Sequence, residues 1–222
     1  MSARAPGTAK QDEFLISPFG LAMNEISASA LVKVNLKGDI IDLGSSTLPP
    51  NKAGVNLHSM IYKAKPNIQC ILHGHMPEAV AVSCTELLPL SQSAIILGKV
   101  GYHDYGGIVM EASDATEESK ERFLKDLGDH KILFLRNHGV ISCGESVAEA
   151  IVTMKNCMDA CKVQVMATAM SAGKALKIPD KKFIDQAYAR HQKNLSDGFY
   201  DMEFSAFLRM VDNGQSPLLT EC

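Results

Sequence analysis

The chain has 222 residues, 46% hydrophobic and 21% charged, with a formal net charge of −3. That balance suits an ordinary globular domain whose core needs no staple, and it excludes nucleic-acid binding through a strongly basic surface. No apolar run reaches the roughly 18 residues of a membrane-spanning helix.

In chain order, residues 1–12 are polar and rich in small residues; they lack the apolar stretch of a secretory signal and are expected to form a disordered tail. Residues 31–36 and 40–41, joined through Lys37-Gly38-Asp39, read as a hairpin. Residues 51–64 carry apolar side chains at Val55, Leu57, Met60 and Ile61, a helical spacing ended by Pro66. Residues 68–72 form a short buried strand, and Pro77 opens a helix over 78–84. The apolar run 91–101 favours a strand. Ser113-Asp114 precedes a charged helix over 115–127 that stops at Gly128. Residues 131–135 and 140–142 read as strands, and Ser146 to Glu149 is a capping box opening a long amphipathic helix that ends at Gly173. Residues 183–196 and 202–211 are two further helices on a more polar extension. The division is a tail (1–12), a main domain (13–173) and a helical extension (174–222), with an α/β or α+β architecture around one mixed sheet.

Six cysteines (Cys70, Cys84, Cys143, Cys157, Cys161 and Cys222) include no C-x-x-C pair. They read as small buried hydrophobes of a reduced, cytoplasmic protein.

The chemistry lies with histidine. His73-Gly74-His75 follows one apolar run, and His138 follows another. In a strand, residues i and i+2 share a side. A third imidazole from a second strand end would complete a three-nitrogen set of the kind that holds zinc. Spacing alone does not make the two strands neighbours, so independent loop histidines remain the alternative. Tyr102, in Tyr102-His103-Asp104-Tyr105, is a candidate proton donor; ring packing with a hydrogen-bonded hydroxyl is the simpler reading. His58 reads as a helix-packing residue, and His130 and His191 as surface residues.

Three phrases then resemble the class II aldolase/adducin domain, and the adducin head most of all: Ile71-Leu72-His73-Gly74-His75, Gly101-Tyr102-His103-Asp104-Tyr105-Gly106 and Leu135-Arg136-Asn137-His138-Gly139-Val140. The resemblance covers about residues 18–173. It implies a three-layer α/β/α fold around a central, mostly antiparallel sheet. It implies zinc on His73, His75 and His138, a homo-oligomer of tetrameric type, and a family tyrosine at Tyr102. For adducin-like members it further implies other adducin subunits, actin and spectrin as partners, at the membrane-associated cytoskeleton of the cytoplasm. The chain ends at Cys222 without a Lys-rich tail, so the same resemblance implies a head-only protein, isoform or fragment.

The departures bear on turnover. The aldolases' catalytic glutamate falls on Gly54, their phosphate-binding serine pair on Lys52-Ala53, and the asparagine of their phosphate loop on Glu25. Gly54 has no group to move a proton, and Glu25 would repel a phosphate. The expectation is a non-catalytic, adducin-like protein. The alternatives are a zinc-dependent aldolase-like lyase and a pure oligomerisation module.

Overall fold

A computed structural model describes residues 1–5, 12–104, 116–195 and 197–212. Period-two burial builds its sheet. In β2 (Glu13–Ile16) and β3 (Val32–Asn35), Phe14, Ile16, Val32 and Val34 are buried while their neighbours in sequence are half-exposed. With β1 (Ser2–Arg4), β4 (Ile40–Asp42), β5 (Cys70–Gly74), β6 (Gly101–His103), β7 (Ile132–Leu135) and β8 (Gly139–Gly144), the strand order is β4-β3-β2-β1-β5-β8-β7-β6. Neighbours pair antiparallel except β6 with β7, which run parallel.

Helices cover both faces. The α-helices are α1 (Lys52–Ala64), α2 (Pro77–Ser83), α3 (Gln92–Leu97), α4 (Glu117–Leu127), α5 (Val147–Ser171), α6 (Lys181–Leu195) and α7 (Phe199–Asp212). One core joins Phe14, Val34, Ile71, Leu133 and Ile141 to Ile61 and Tyr62 of α1 and Phe123 and Leu127 of α4. The other joins Ile132, Phe134 and Val140 to Ala79 and Val82 of α2 and Met154, Cys157 and Cys161 of α5. Alternate residues of β7 therefore serve opposite cores, and the expected α/β/α layering around a mostly antiparallel sheet is what the chain adopts.

Several local expectations change. The start of the presumed tail is β1, which pairs with β2 on one edge and β5 on the other. Polar composition concealed it. Ser2 is fully buried because its hydroxyl has partners in His58 and Tyr62, and Arg4 donates to the carbonyls of Ile68 (2.9 Å) and Tyr62 (2.8 Å). Residues 6–11 of that presumed tail lie outside the described residues.

The apolar run 91–101 is mostly helix, because Ser91 caps it by accepting from the Ala94 N–H (3.2 Å). Only its last residue, Gly101, enters β6. The cap expected at Ser113-Asp114 lies outside the described residues; Thr116 caps α4 instead. Ser146 caps α5, but Glu149 reaches back to the Glu145 N–H and to Lys131. His191 is buried, its ring edge-on to Phe199 and Tyr200 of α7. Four cysteines (70, 143, 157 and 161) are buried and Cys84 is exposed; Cys222 lies outside the described residues. Among the described residues no helix is long and apolar enough to cross a membrane.

Candidate metal centre and its neighbouring corner

The sheet supplies the adjacency that spacing could not. β5 pairs with β8, placing His73 opposite Ile141 and Gly74 opposite Val140. β7 and β8 are joined by the tight turn that carries Asn137 and His138. The turn needs a left-handed residue, and Asn137 (φ 60°) supplies it at low steric cost. Gly139 then passes close to β5. A Cβ there would stand 2.4 Å from the Gly74 carbonyl oxygen and 3.0 Å from the His75 ring, so only glycine lets the turn approach the H-x-H step.

Three imidazoles converge as a result. His138 Nε2 lies 3.2 Å from His73 Nε2 and 3.0 Å from His75 Nε2, and the three ligand atoms fall within 4.8 Å of one another. Nitrogens about 2.0–2.1 Å from one tetrahedral zinc would be separated by about 3.3 Å, so the set fits that ion with little adjustment. His73 Nδ1–H donates to the Val140 carbonyl (3.1 Å), which leaves the Nε2 lone pair free to face the other two rings. Burial first, with the neighbouring imidazoles adding to it, pushes the His73 pKa down to about 4 despite the Val140 bond. His73 is therefore neutral at physiological pH, in the form that could ligate a metal. His75 is exposed, which leaves the cluster open on one side.

His58 is not among the converging ligands. It sits fully buried on α1, and its Nδ1 shares a 2.6 Å hydrogen bond with Ser2 Oγ. Desolvation, above all, lowers its pKa well below 6.5.

The corner where an acid–base group is expected is apolar or otherwise engaged. Gly54 lies in the first turn of α1, and the nearest atom to a Cβ built there is Ile16 Cδ1, at 3.6 Å. Lys52 and Ala53 open the helix under the Asn51 cap. Glu25 accepts from the Ala22 N–H (2.7 Å), so its carboxylate closes its own turn at the surface.

Tyr102 does not join the histidines. Its hydroxyl accepts from the Leu87 N–H (2.7 Å), its ring stacks on Phe134, and the Arg136 guanidinium lies 4.3 Å above it. It packs in the α2/α5 core, whereas alternation from Ile71 places His73 toward the opposite face. The adjacent His103 is buried and pairs with Asp126 (2.7 Å), holding α4 to β6. Tyr105 lies outside the described residues. Sequence reasoning passed over Ser2 and Ile16, which line this corner; their signal was the period-two pattern of two short strands.

Similarity to known proteins agrees with this architecture. The profile of the class II aldolase and adducin N-terminal domain matches residues 1–165. Alpha-adducin of Rattus norvegicus is 43% identical over an alignment 222 positions long, which covers 92% of this chain and 29% of that protein. The chain thus spans under a third of the length of that relative. A putative aldolase class 2 protein of Pseudomonas aeruginosa is 41% identical over 175 residues, covering 78% of this chain and 64% of that one. The crystal structure of an aldolase II superfamily protein from Pseudomonas syringae superposes with a TM-score of 0.86 at 36% identity, covering 96% of this chain and 82% of that one. With a profile match over most of its length and this sheet order, the chain belongs to the class II aldolase and adducin N-terminal domain family.

Proposed function

We propose that this chain is a non-catalytic, adducin-like assembly domain that keeps the family's metal ligands and has lost its acid–base machinery. The observation that carries the proposal is the Gly54 corner. Where turnover needs a carboxylate, there is a hydrogen atom facing an isoleucine methyl. Removing a general base typically slows a reaction by about 10²–10⁴-fold. A substrate phosphate would also meet the Glu25 carboxylate instead of a donor.

His73, His75 and His138 would hold zinc. When bound, zinc supplies Lewis-acid polarisation of an oxygen ligand; here its role is to tie the end of β5 to the β7–β8 turn. The likeness to alpha-adducin directs the function toward assembly. The partners proposed are other adducin-family subunits and, through them, actin and spectrin at the membrane-associated cytoskeleton in the cytoplasm. The chain itself is proposed to form a homo-oligomer, tetrameric in type.

Co-sedimentation tests this directly. The chain is expected to pellet with spectrin–actin when a full-length adducin is present and to enter mixed oligomers with it. Failure to pellet, together with failure to join any adducin oligomer, would remove the assembly reading.

A second reading, a zinc-dependent aldolase-like lyase, is favoured by the 41% identity to a putative aldolase. It requires turnover that disappears with His138→Ala, on a substrate without a phosphate to anchor.

A further inference from the structure

Helix α2 links the two halves of the histidine set from outside the sheet. It starts directly after the H-x-H step, with Met76 at its cap and Pro77 in its first turn. It ends at Ser83, beside the β7–β8 turn that carries His138. Ala79 and Val82 bury its inner side against Phe134 and Val140, which flank that turn on β7 and β8. The last carbonyls of a helix lack intrahelical donors. Those of Ala81 and Val82 accept from the Cys84 and Thr85 N–H groups (3.3 and 2.9 Å). The carbonyls of Ser83 and Thr85 accept instead from the Arg136 guanidinium, Ser83 at 3.4 Å. The next residue, Asn137, donates its side-chain amide to Cys84 Sγ (3.2 Å). Both tip residues of the turn thus grip the far end of the helix that leaves His75.

The turn does not need this grip in order to form. The Leu135 carbonyl accepts from the His138 N–H (3.1 Å), the Arg136 N–H donates to the His103 carbonyl (2.9 Å), and Asn137 supplies the left-handed residue. The β5–β8 ladder, however, stops at Gly74 opposite Val140, two residues short of His138. What the side chains add is direction beyond the last backbone pair. Arg136 is itself held in one pose. Its guanidinium lies 4.3 Å over the Tyr102 ring and 3.8 Å from the Glu86 carboxylate, and the Leu87 N–H anchors the Tyr102 hydroxyl (2.7 Å).

We infer that Arg136 is a positioning residue for the histidine set: by clamping the end of α2 it holds His138 at the spacing from His73 and His75 that a metal ion requires. The inference rests on the proposed metal-holding role of those three residues, and it makes Tyr102 the platform for the clamp. A bare charge effect has the opposite sign. A cation near a divalent metal repels it, so removing Arg136 would strengthen zinc binding if charge alone counted. Loss of a residue that orients a metal ligand typically weakens affinity about 10–100-fold.

Zinc titration of the full chain against a competing chelator tests this, with the visible spectrum of the cobalt(II)-loaded protein as a second readout. Arg136→Met keeps the apolar stem and removes the fork; Arg136→Lys keeps the charge but cannot span both carbonyls. Both are expected to bind zinc about 10–100-fold more weakly than the parent and to shift the cobalt bands. The denaturant midpoint of the metal-free protein is expected to stay close to the parent's. Asn137→Gly keeps the left-handed turn and deletes only the amide, so it is expected to weaken zinc by a smaller factor. Should the Arg136 variants fail to fold, parental zinc affinity in Asn137→Gly would overturn the inference. Zinc held as tightly or more tightly by Arg136→Met, with an unaltered cobalt spectrum, would overturn it and leave the metal-holding role standing. Full rescue by Arg136→Lys would also overturn it, since charge would then suffice. A parent chain that binds no zinc would remove both.

Discussion

The ligand half and the acid–base half of this site sit on adjoining elements but differ in how they are built. The ligand half is held by backbone: β5–β8 pairing, a left-handed Asn137, and a Gly139 that no other residue could replace without displacing Gly74. The acid–base half has no such constraint. Gly54 lies beside Ile16 with ordinary space for a side chain, so sterics do not require the glycine. The convergence of the three histidines is therefore part of how the sheet closes. On the proposed reading, the catalytic carboxylate would depend on one replaceable side chain, whose absence leaves the fold intact.

The largest effect should come from the ligands. His138→Ala removes the nitrogen shared by both short contacts. Elemental analysis of protein dialysed against zinc should fall from equimolar metal to near background. Retention of equimolar zinc would place the metal elsewhere.

Gly54→Glu probes the other half. Gly54 is the third residue of α1, behind an Asn51 cap, so a glutamate there restores a capping-box partner and improves helix propensity. Stability should rise by about 0.5–1.5 kcal/mol. If the missing base is what limits turnover, zinc-loaded Gly54→Glu should cleave non-phosphorylated aldols about 10²-fold or more faster than the parent. An unchanged rate would mean that further elements of the site are absent.

Gly139→Ala crosses the two halves, since it strains the fold and the metal set together. Overpacking against Gly74 should cost about 1–3 kcal/mol in denaturant unfolding and weaken zinc retention. Full stability with normal zinc would refute the close-approach account.

The smallest effect concerns His58. Its folded pKa lies below the ordinary 6.5, so below that pH the unfolded chain binds a proton that the folded chain refuses. Its contribution is complete above about pH 6.5 and is lost as pH falls, with a slope of up to about 1.4 kcal/mol per pH unit. Denaturation at neutral and mildly acidic pH should show a flatter dependence for His58→Leu than for the parent. Equal slopes would assign the acid sensitivity to other groups.

Much of the fold was legible because the signals were local. Val55, Leu57, Met60 and Ile61 mark α1 by spacing, and Ser146 marks the start of α5 by its cap. The histidines were legible as residue types, but not as a cluster. Their meeting depends on β5 and β8 pairing across more than 60 residues, which no local pattern encodes. β1 was illegible for a related reason: three small or polar residues become a central strand only because two other strands supply their hydrogen-bond partners. The apolar run at 91–101 fits either period at that length, and the Ser91 cap decides for helix. Tyr102 follows the simpler of its two readings, ring packing with a hydrogen-bonded hydroxyl. The residue type suits proton donation, yet the sheet turns it into the core opposite the histidines.

The central claim is that metal binding and turnover have come apart in this chain. Zinc content and aldol cleavage measured on one zinc-reconstituted sample, over a broad panel of sugar and sugar-phosphate substrates, test it most directly. Zinc equimolar with chain and no cleavage above the buffer rate are the expected result. Cleavage that follows zinc content and vanishes in His138→Ala would contradict it.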